Sequence, residues 1–410
     1  MLSQEKLAKF AELAVKIGVN MQKGQEVVVR ADVKCADFAH IIAKKAYEYG
    51  AKRVHLQWRD EVMSRMDMDY AQTSALCDVP SFAKEFNEYC IARRVCLISV
   101  ASSDPNALAG CDPKKVAEVN VALRKANQKF SQATMSDFLR WTVVSVPTEA
   151  WAKTVFPNDE PSVAVDKLWE AIAKTMRLDE DDPTAAWRRH IDKLNSRARF
   201  LNQQNFEYLH YVSANGTDLK VGLAHDHVWC AAEEAAQDGV TFTANMPTEE
   251  VFTAPHRNKV DGVVKNALPL VYQGQVIDGF TLKFKEGKVV DFAAEKGYDA
   301  LKGLLDTDEG ARHIGEAALI GKHSPIAESG ILFFNTLFDE NASCHLALGA
   351  AYPTTVKNGN DLSADELLAK GANDSVEHVD FMIGTKDMHI DGIKYDGTVV
   401  NIFTDGEWTV

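Results

Sequence analysis

The first 150 residues of the chain alternate between short apolar runs and helical repeats. Apolar residues recur at the spacing of an amphipathic helix before the first run and again between the runs. The runs have the length and composition of buried strands, and they lie at residues 26–32, 52–58, 94–100 and 142–146. Repeated strand–helix alternation predicts a mostly parallel sheet that is covered by helices on both faces.

The pattern changes near residue 200. A long helical region at residues 161–202, interrupted by an acidic turn with proline, gives way to short strand patterns between Gly, Asn and Asp turns. These predicted strands lie at residues 208–212, 219–223, 240–244, 280–284, 331–335 and 376–383. A chain of 410 residues also exceeds what one hydrophobic core usually supports. We therefore predict an α/β N-terminal domain at residues 1–200 and a β-rich α+β C-terminal domain at residues 201–410.

Composition excludes several classes of protein. The formal net charge of −14 argues against a nucleic-acid partner, because phosphate binding requires clustered Lys and Arg. No apolar stretch approaches the length that spans a bilayer, and no secretory signal is visible at the N-terminus. The seven cysteines are scattered without a Cys-x-x-Cys pair, which predicts a protein of the reducing cytoplasm. Glycine-rich phosphate-binding motifs are also missing, so the N-terminal half is predicted to be structural or to form a cleft wall.

Candidate chemistry lies in the second half, where acidic and histidine residues interrupt apolar runs. Glu316 stands between Gly315 and Ala317 in the apolar segment 314–320. On a strand it would share a face with Ala318 and other apolar residues. A buried glutamate is rare unless it is paired, so Glu316 is the strongest single indication of a site.

Two histidines lie in similar surroundings. His378 and Asp380 are two residues apart, so on a strand they project from one face and could share or flank a metal ion, or form an ordinary His–Asp hydrogen bond. His345 lies in a run of small apolar residues, where Ala347 and Gly349 leave room beside its ring. A hydrogen-bonded core histidine is the alternative interpretation for His345.

Three further acidic residues and a tyrosine are candidates. Glu249 and Glu250 are adjacent between two prolines, and on an extended chain at most one of them faces a site. Both could instead be charges that cap a helix. Glu340 lies five residues before His345 and Tyr352 seven residues after it, and either could be a surface or a site residue.

Taken together, these segments resemble the aminopeptidase T family of metallopeptidases, which includes AmpS-type and PepS-type enzymes, and they are most similar to the PepS branch. The longest and most specific match is Asn-Met-Pro-Thr-Glu-Glu-Val-Phe-Thr-Ala-Pro-His at residues 245–256. The other matching segments are residues 314–319, 345–353 and 378–380. The likeness extends over essentially the whole chain, including its opening residues.

The resemblance implies a dinuclear metalloaminopeptidase that releases N-terminal amino acids from peptides with a free N-terminus, through a water activated by two divalent ions (Zn, Co or Mn). It implies a β-rich catalytic domain and a homodimer. By the same resemblance, Glu340 would be a further ligand or the general base, and Tyr352 would steady the oxyanion. Glu316 is the alternative to Glu340 as the group that guides the water. The implied metal ligands are Glu250, Glu316, His345, His378 and Asp380, with Glu340 as the possible sixth.

Other motifs carry less weight, and two rival functions stay open. His225, His227 and His313 match no ligand of the family, so we predict hydrogen-bonding or structural roles for them. There is no His-Glu-x-x-His helix and no Gly-x-Ser-x-Gly elbow. The alternatives are a non-catalytic small-ligand-binding protein with a structural cation, and a metal amidohydrolase that acts on non-peptide amides.

Overall fold

The computed structural model describes residues 2–102, 104–272 and 275–410. The chain forms two compact units. Unit 1 comprises Met1–Trp187 and Glu233–Met246, and unit 2 comprises Arg188–Ala232 and Pro247–Val410. These bounds differ from the predicted boundary at residue 200. The division into domains at residues 1–200 and 201–410 stays a prediction.

The helices and strands are numbered along the chain. The helices are α1 (Gln4–Leu13), α2 (Ala36–Glu48), α3 (Glu61–Tyr70), α4 (Thr73–Cys77), α5 (Ser81–Arg93), α6 (Pro113–Met135), α7 (Glu149–Val155), α8 (Pro161–Thr175), α9 (Pro183–Gln204), α10 (Tyr298–Leu305), α11 (Pro325–Ser329), α12 (Thr336–Asp339) and α13 (Ala364–Ala369). The strands are β1 (Glu26–Asp32), β2 (Arg53–Arg59), β3 (Cys96–Val100), β4 (Trp141–Val144), β5 (Phe206–Val212), β6 (Asp218–Leu223), β7 (Glu234–Ala235), β8 (Thr241–Phe242), β9 (Val251–Thr253), β10 (Pro255–Lys265), β11 (Leu270–Tyr272), β12 (Gln275–Ile277), β13 (Thr281–Lys285), β14 (Lys288–Ala293), β15 (Ile314–Leu319), β16 (His345–Gly349), β17 (His378–Met382), β18 (His389–Lys394), β19 (Val399–Thr404) and β20 (Glu407–Trp408).

Unit 1 contains a four-stranded sheet in the order β2-β1-β3-β4, and its strand pairs are parallel. Val28 and Leu97 on one face pack with Cys90 of α5 and Phe130 of α6. Helix α2 also contacts β1, and it packs on α1 through Phe10 and Phe38. The structure thus confirms the predicted parallel sheet with helices packed against it.

The described residues of unit 2 form two main antiparallel sheets and a two-stranded sheet of β11 and β12. The larger has eight strands in the order β14-β13-β10-β6-β5-β18-β19-β20, and the smaller has four in the order β17-β16-β15-β9. Every residue of β9, β15 and β16 is buried. Strands buried on both faces contain near-continuous apolar runs, so the polar residues of the smaller sheet stand out as exceptions. The predicted β-rich character of the second half is confirmed.

One predicted strand is wrong. Residues 331–335 form an irregular loop, because the buried Asp339 carboxylate accepts hydrogen bonds from the backbone N–H groups of Phe333 and Asn335. Phe334 between them has φ +52°, which is incompatible with an extended strand. The strand predicted at residues 240–244 is confined to β8. Within the described part of the chain, no helix is long and apolar enough to cross a membrane.

Candidate metal centre

The four-stranded sheet of unit 2 positions four of the candidate residues by its register. Ala347 of β16 pairs with Glu316 of β15 on one side and with Asp380 of β17 on the other. Directly paired residues project from the same face of a sheet, and so do residues two apart on a strand. Glu316, His345, His378 and Asp380 therefore share one face. Glu250 immediately precedes β9, the strand that pairs with β15.

The side chains of these five residues form two groups whose potential ligand atoms lie within 4.8 Å of one another. The first group is Glu250, Glu316 and His345, and the second is Glu316, His378 and Asp380. Glu316 belongs to both groups, and its two oxygens face different imidazoles. Its Oε1 lies 3.3 Å from Nε2 of His345, and its Oε2 lies 3.7 Å from Nε2 of His378.

Both imidazoles are held by backbone carbonyl groups. Nδ1 of His345 donates to the carbonyl oxygen of Glu340 at 2.8 Å, and Nδ1 of His378 donates to that of Ala350 at 2.7 Å. A proton on Nδ1 leaves Nε2 as the nitrogen that can bind a metal. Both Nε2 atoms are directed at the site carboxylates.

Burial and mutual repulsion shift the ionisation of the carboxylates. Burial raises the pKa of Glu316, and it raises that of Glu340 well above its usual range, with a further contribution from Asp380 and Glu250. Burial would also raise the pKa of Asp380, but the neighbouring His378 imidazole lowers it below its usual value. Like charges this close in a dry site oppose full ionisation unless positive charge is present.

Burial acts on the pKa values of the two imidazoles in the opposite direction, but the neighbouring carboxylates outweigh it. Burial alone would lower the pKa of His345, but its contacts with Glu250 and Glu316 raise it well above its usual range. Burial likewise opposes the charge on His378, and Asp380 overcomes this and raises the pKa to about 9. The cluster therefore favours positive charge at its centre.

The donor set fits a divalent metal. In the described part of the chain, the ion pairs of Glu250, Glu316 and Asp380 are all with imidazoles. Oδ1 of Asp380 is buried and accepts no hydrogen bond of good geometry from any described residue, although Nε2 of His378 lies 3.4 Å away. Carboxylate oxygens and neutral imidazoles are ligands that Zn²⁺ and related ions prefer.

The remaining candidates border this cluster. Glu340 is buried in a 3-10 turn, and its pKa responds to Asp380 and Glu250. The ring of Tyr352 packs edge-on against that of His378, with centroids 4.8 Å apart. Glu249 is also buried, but its carboxylate lies 3.5 Å from Nε2 of His190.

The other conspicuous histidines lie elsewhere in unit 2. The ring of His225 contacts that of His256, and Nδ1 of His227 lies 3.1 Å from the carbonyl oxygen of Ala224. His313 is buried, and its Nδ1 lies 2.8 Å from the carbonyl oxygen of Arg257. These contacts are with rings and backbone carbonyl groups.

Sequence reasoning assigned no role to Asn341, which lies beside the cluster. Its side chain is completely buried and hydrogen-bonds to both acidic segments of the site. A polar residue next to Glu340 was the available signal, but its burial could not be read from the sequence.

Comparison with known proteins identifies the family. The sequence profile described as thermophilic metalloprotease (M29) matches residues 3–408. The chain is 47% identical to Aminopeptidase 2 of Geobacillus stearothermophilus over 99% of this chain and 98% of that protein. It is 46% identical to Aminopeptidase AmpS of Bacillus subtilis (strain 168), with 98% of each chain covered.

A solved structure of a related protein supports the same family. AmpT from Thermus thermophilus superimposes with a TM-score of 0.93 at 38% identity, covering 99% of this chain and 100% of that chain. The family implies a divalent metal cofactor, in agreement with the donor set described above. The resemblance to the aminopeptidase T family is confirmed, and the chain belongs to the M29 family of metalloproteases, together with the proteins named AmpS and Aminopeptidase T.

Proposed function

We propose that this protein is a metal-dependent aminopeptidase that holds two divalent ions, releases N-terminal residues from peptides, and uses Glu250, Glu316, His345, His378 and Asp380 as ligands. The aminopeptidase activity is carried over from the names of the relatives. The two-ion centre rests on one observation, the shared position of Glu316. One carboxylate oxygen faces each imidazole, which suits a bridging ligand between two ions.

The negative charge of the buried carboxylates also supports two ions. Glu250, Glu316, Glu340 and Asp380 carry four negative charges when ionised, and two divalent ions carry four positive charges. The imidazoles, with protons on Nδ1, contribute none. Two ions therefore neutralise a buried cluster whose full ionisation would otherwise be strongly unfavourable.

The ions, when bound, supply Lewis acidity that polarises the scissile carbonyl and lowers the pKa of water. The side chains supply the remaining steps. Glu340, the general base in this proposal, takes a proton from the attacking water at a carboxylate oxygen and passes it to the leaving amine. The Tyr352 hydroxyl donates a hydrogen bond to the oxyanion that forms on the substrate.

A chelation experiment tests the metal dependence. The purified full-length chain is assayed on aminoacyl p-nitroanilides before and after dialysis against a chelator, and then with Co²⁺, Mn²⁺ or Zn²⁺ added back. Activity should disappear on chelation and return with at least one ion, and metal analysis should find two ions per chain. Activity that survives complete metal removal would contradict the proposal.

A matched substrate tests the requirement for a free N-terminus. The N-acetylated form of the same anilide removes the positive charge and the lone pair of the α-amine and leaves the scissile bond unchanged. We expect at least a 100-fold lower rate on it, because a metal-anchored or carboxylate-anchored amine contributes several kcal/mol of positioning. Equal rates on both substrates would instead favour an amidohydrolase that acts on non-peptide amides.

The assembly and location of the protein stay predictions. A homodimer follows from the family resemblance, and a cytoplasmic protein without nucleic-acid or membrane partners follows from composition. Light scattering on the purified chain would measure the assembly, and a monomeric mass with full activity would contradict the dimer.

A further inference from the structure

We propose that Asn341 is a positioning residue of the metal centre, because its amide ties the Thr248–Glu249 peptide group, one residue before Glu250, to the carboxylate of Glu340. This inference rests on the proposed two-ion function and concerns how one ligand is oriented.

The peptide group between Thr248 and Glu249 is held on both edges. Its N–H, from Glu249, donates to Oδ1 of Asn341 at 2.8 Å. Its carbonyl oxygen, from Thr248, accepts a hydrogen bond from Nε2 of His190 at 2.8 Å. A planar peptide whose two polar edges are both hydrogen-bonded is restrained against rotation about its flanking bonds, so it orients the backbone at Glu249, the residue directly before Glu250.

The amide nitrogen of the same side chain binds within its own segment of the chain. Nδ2 of Asn341 donates to the carbonyl oxygen of Leu337 at 3.1 Å and to Oε1 of Glu340 at 3.4 Å. The side chain is completely buried, so its hydrogen bonds do not compete with water. One side chain therefore links the backbone before Glu250 to the carboxylate of Glu340.

Glu250 needs such support more than the other ligands do. Glu316, His345, His378 and Asp380 lie within β15, β16 and β17, whose ladders fix their backbones. Glu250 lies one residue before β9 begins. Its orientation depends on the irregular segment before it, and Asn341 and His190 hold that segment.

The test is a calorimetric titration of the metal-free, full-length chain with Co²⁺. Asn341→Leu keeps the branched shape of the side chain and removes its hydrogen bonds. We expect one of the two ions to bind about 10-fold to 100-fold more weakly, the range typical when a residue that orients a ligand is removed. The other ion should be within about 3-fold of its wild-type affinity, because Glu316, His378 and Asp380 keep their strand positions. A Glu250→Gln variant identifies the affected ion.

A second variant covers the possibility that Asn341→Leu does not fold. His190→Leu removes the hydrogen bond to the other edge of the peptide, and it should weaken the same ion by about 10-fold. Asn266 provides the matched control, since its amide also accepts from a backbone N–H, donates to a backbone carbonyl and donates to a carboxylate. Asn266→Leu should lower the unfolding temperature and leave both Co²⁺ affinities unchanged.

The outcomes separate this inference from the proposed function. A wild-type chain that binds two Co²⁺ ions, with both affinities unchanged in the Asn341 and His190 variants, would overturn the positioning role alone. Equal weakening of both ions would also overturn it, because that result indicates general loosening. A wild-type chain that binds fewer than two ions would overturn the two-ion proposal and this inference with it.

Discussion

Glu316 and Asp380 occupy the same row of the four-stranded sheet although they lie two strands apart, because each pairs directly with Ala347. Adjacent strands are about 4.8 Å apart, so the two backbones are separated by roughly 10 Å. The two carboxylates nevertheless come within 4.8 Å of each other and of His378. They approach over the small side chain of Ala347, which is therefore part of the geometry of the site.

The first prediction concerns this small residue. Ala347→Val adds two methyl groups to the site face between Glu316 and Asp380, and an overpacked core position typically costs about 1–3 kcal/mol. The carboxylates are thereby pushed apart, so both ions should bind more weakly, by about 10-fold or more. Co²⁺ titration and the unfolding temperature measure the two effects.

A matched substitution on the opposite face serves as the control. Ala317 is buried in β15, and it pairs with Leu346 and Thr253. Ala317→Val adds the same volume to the same sheet but away from the carboxylates. It should cost comparable stability without lowering Co²⁺ affinity. Equal loss of affinity in both variants would show that Ala347 acts only through stability.

The second prediction distinguishes the shared carboxylate from an unshared one. Glu316 belongs to both ligand groups, whereas Glu250 belongs to one. Glu316→Gln should therefore lower the metal content from two ions per chain toward none, and Glu250→Gln should lower it toward one. Elemental analysis after gel filtration in metal-free buffer measures this. One ion retained in both variants would argue against Glu316 as the bridge.

Of the strands that carry the site residues, the sequence predicted β17, considered a strand around Glu316 only as a condition, and did not predict β16. Glu316 stood out because a carboxylate in an apolar run requires a partner, and the partners proved to be two imidazoles. The pairing of β15, β16 and β17 brings together residues more than sixty positions apart, such as Glu316 and Asp380. No local pattern encodes that register, so only the family resemblance joined the segments in advance.

Two features could not be predicted from the sequence: the loop at residues 331–335 and the burial of Asn341. The apolar segment at residues 331–335 has the composition of a strand, but the Asp339 carboxylate binds its N–H groups and holds it as a loop. Asn341 is an ordinary polar residue by sequence, and its importance arises from complete burial between two acidic segments. The loop depends on local hydrogen bonds from the backbone to a side chain, which compete with a strand, and the burial of Asn341 depends on contacts with residues distant in the sequence.

The third prediction concerns pH and an acidic residue of unit 1. The hydroxyl of Tyr89 donates to Oε2 of Glu26 at 2.6 Å, and Nε2 of His55 lies 3.0 Å from the same oxygen. These hydrogen bonds lower the pKa of Glu26 from 4.5 to about 2. A carboxyl group whose pKa is lower in the folded state stabilises the fold above pH 4.5. That contribution is lost as the pH falls from 4.5 toward 2.

Urea unfolding of the metal-free protein between pH 7 and pH 3 measures this contribution. Glu26→Gln should be less stable than the wild type by about 1–2 kcal/mol at pH 7, once solvent screening is allowed for, and the difference should shrink at pH 3. Glu85→Gln, a change of an exposed glutamate on α5, should leave stability nearly unchanged at both values. A Glu26 difference that is constant with pH would contradict the assignment.

The fourth prediction compares two glycines of unit 2. Gly349 has φ +109°, and a Cβ there would lie 2.1 Å from the carbonyl oxygen of Glu377. Gly349→Ala should therefore destabilise the protein by about 1–3 kcal/mol or more. Because Gly349 pairs with His378, the ion bound by that histidine should also be weakened. Gly303 lies in α10, and a Cβ there would meet no neighbouring residue within 4 Å, so Gly303→Ala should stabilise the protein by about 0.5–1 kcal/mol. Thermal unfolding of both variants should give shifts of opposite sign, and a Gly349→Ala variant as stable as the wild type would refute the close approach of β16 to the start of β17.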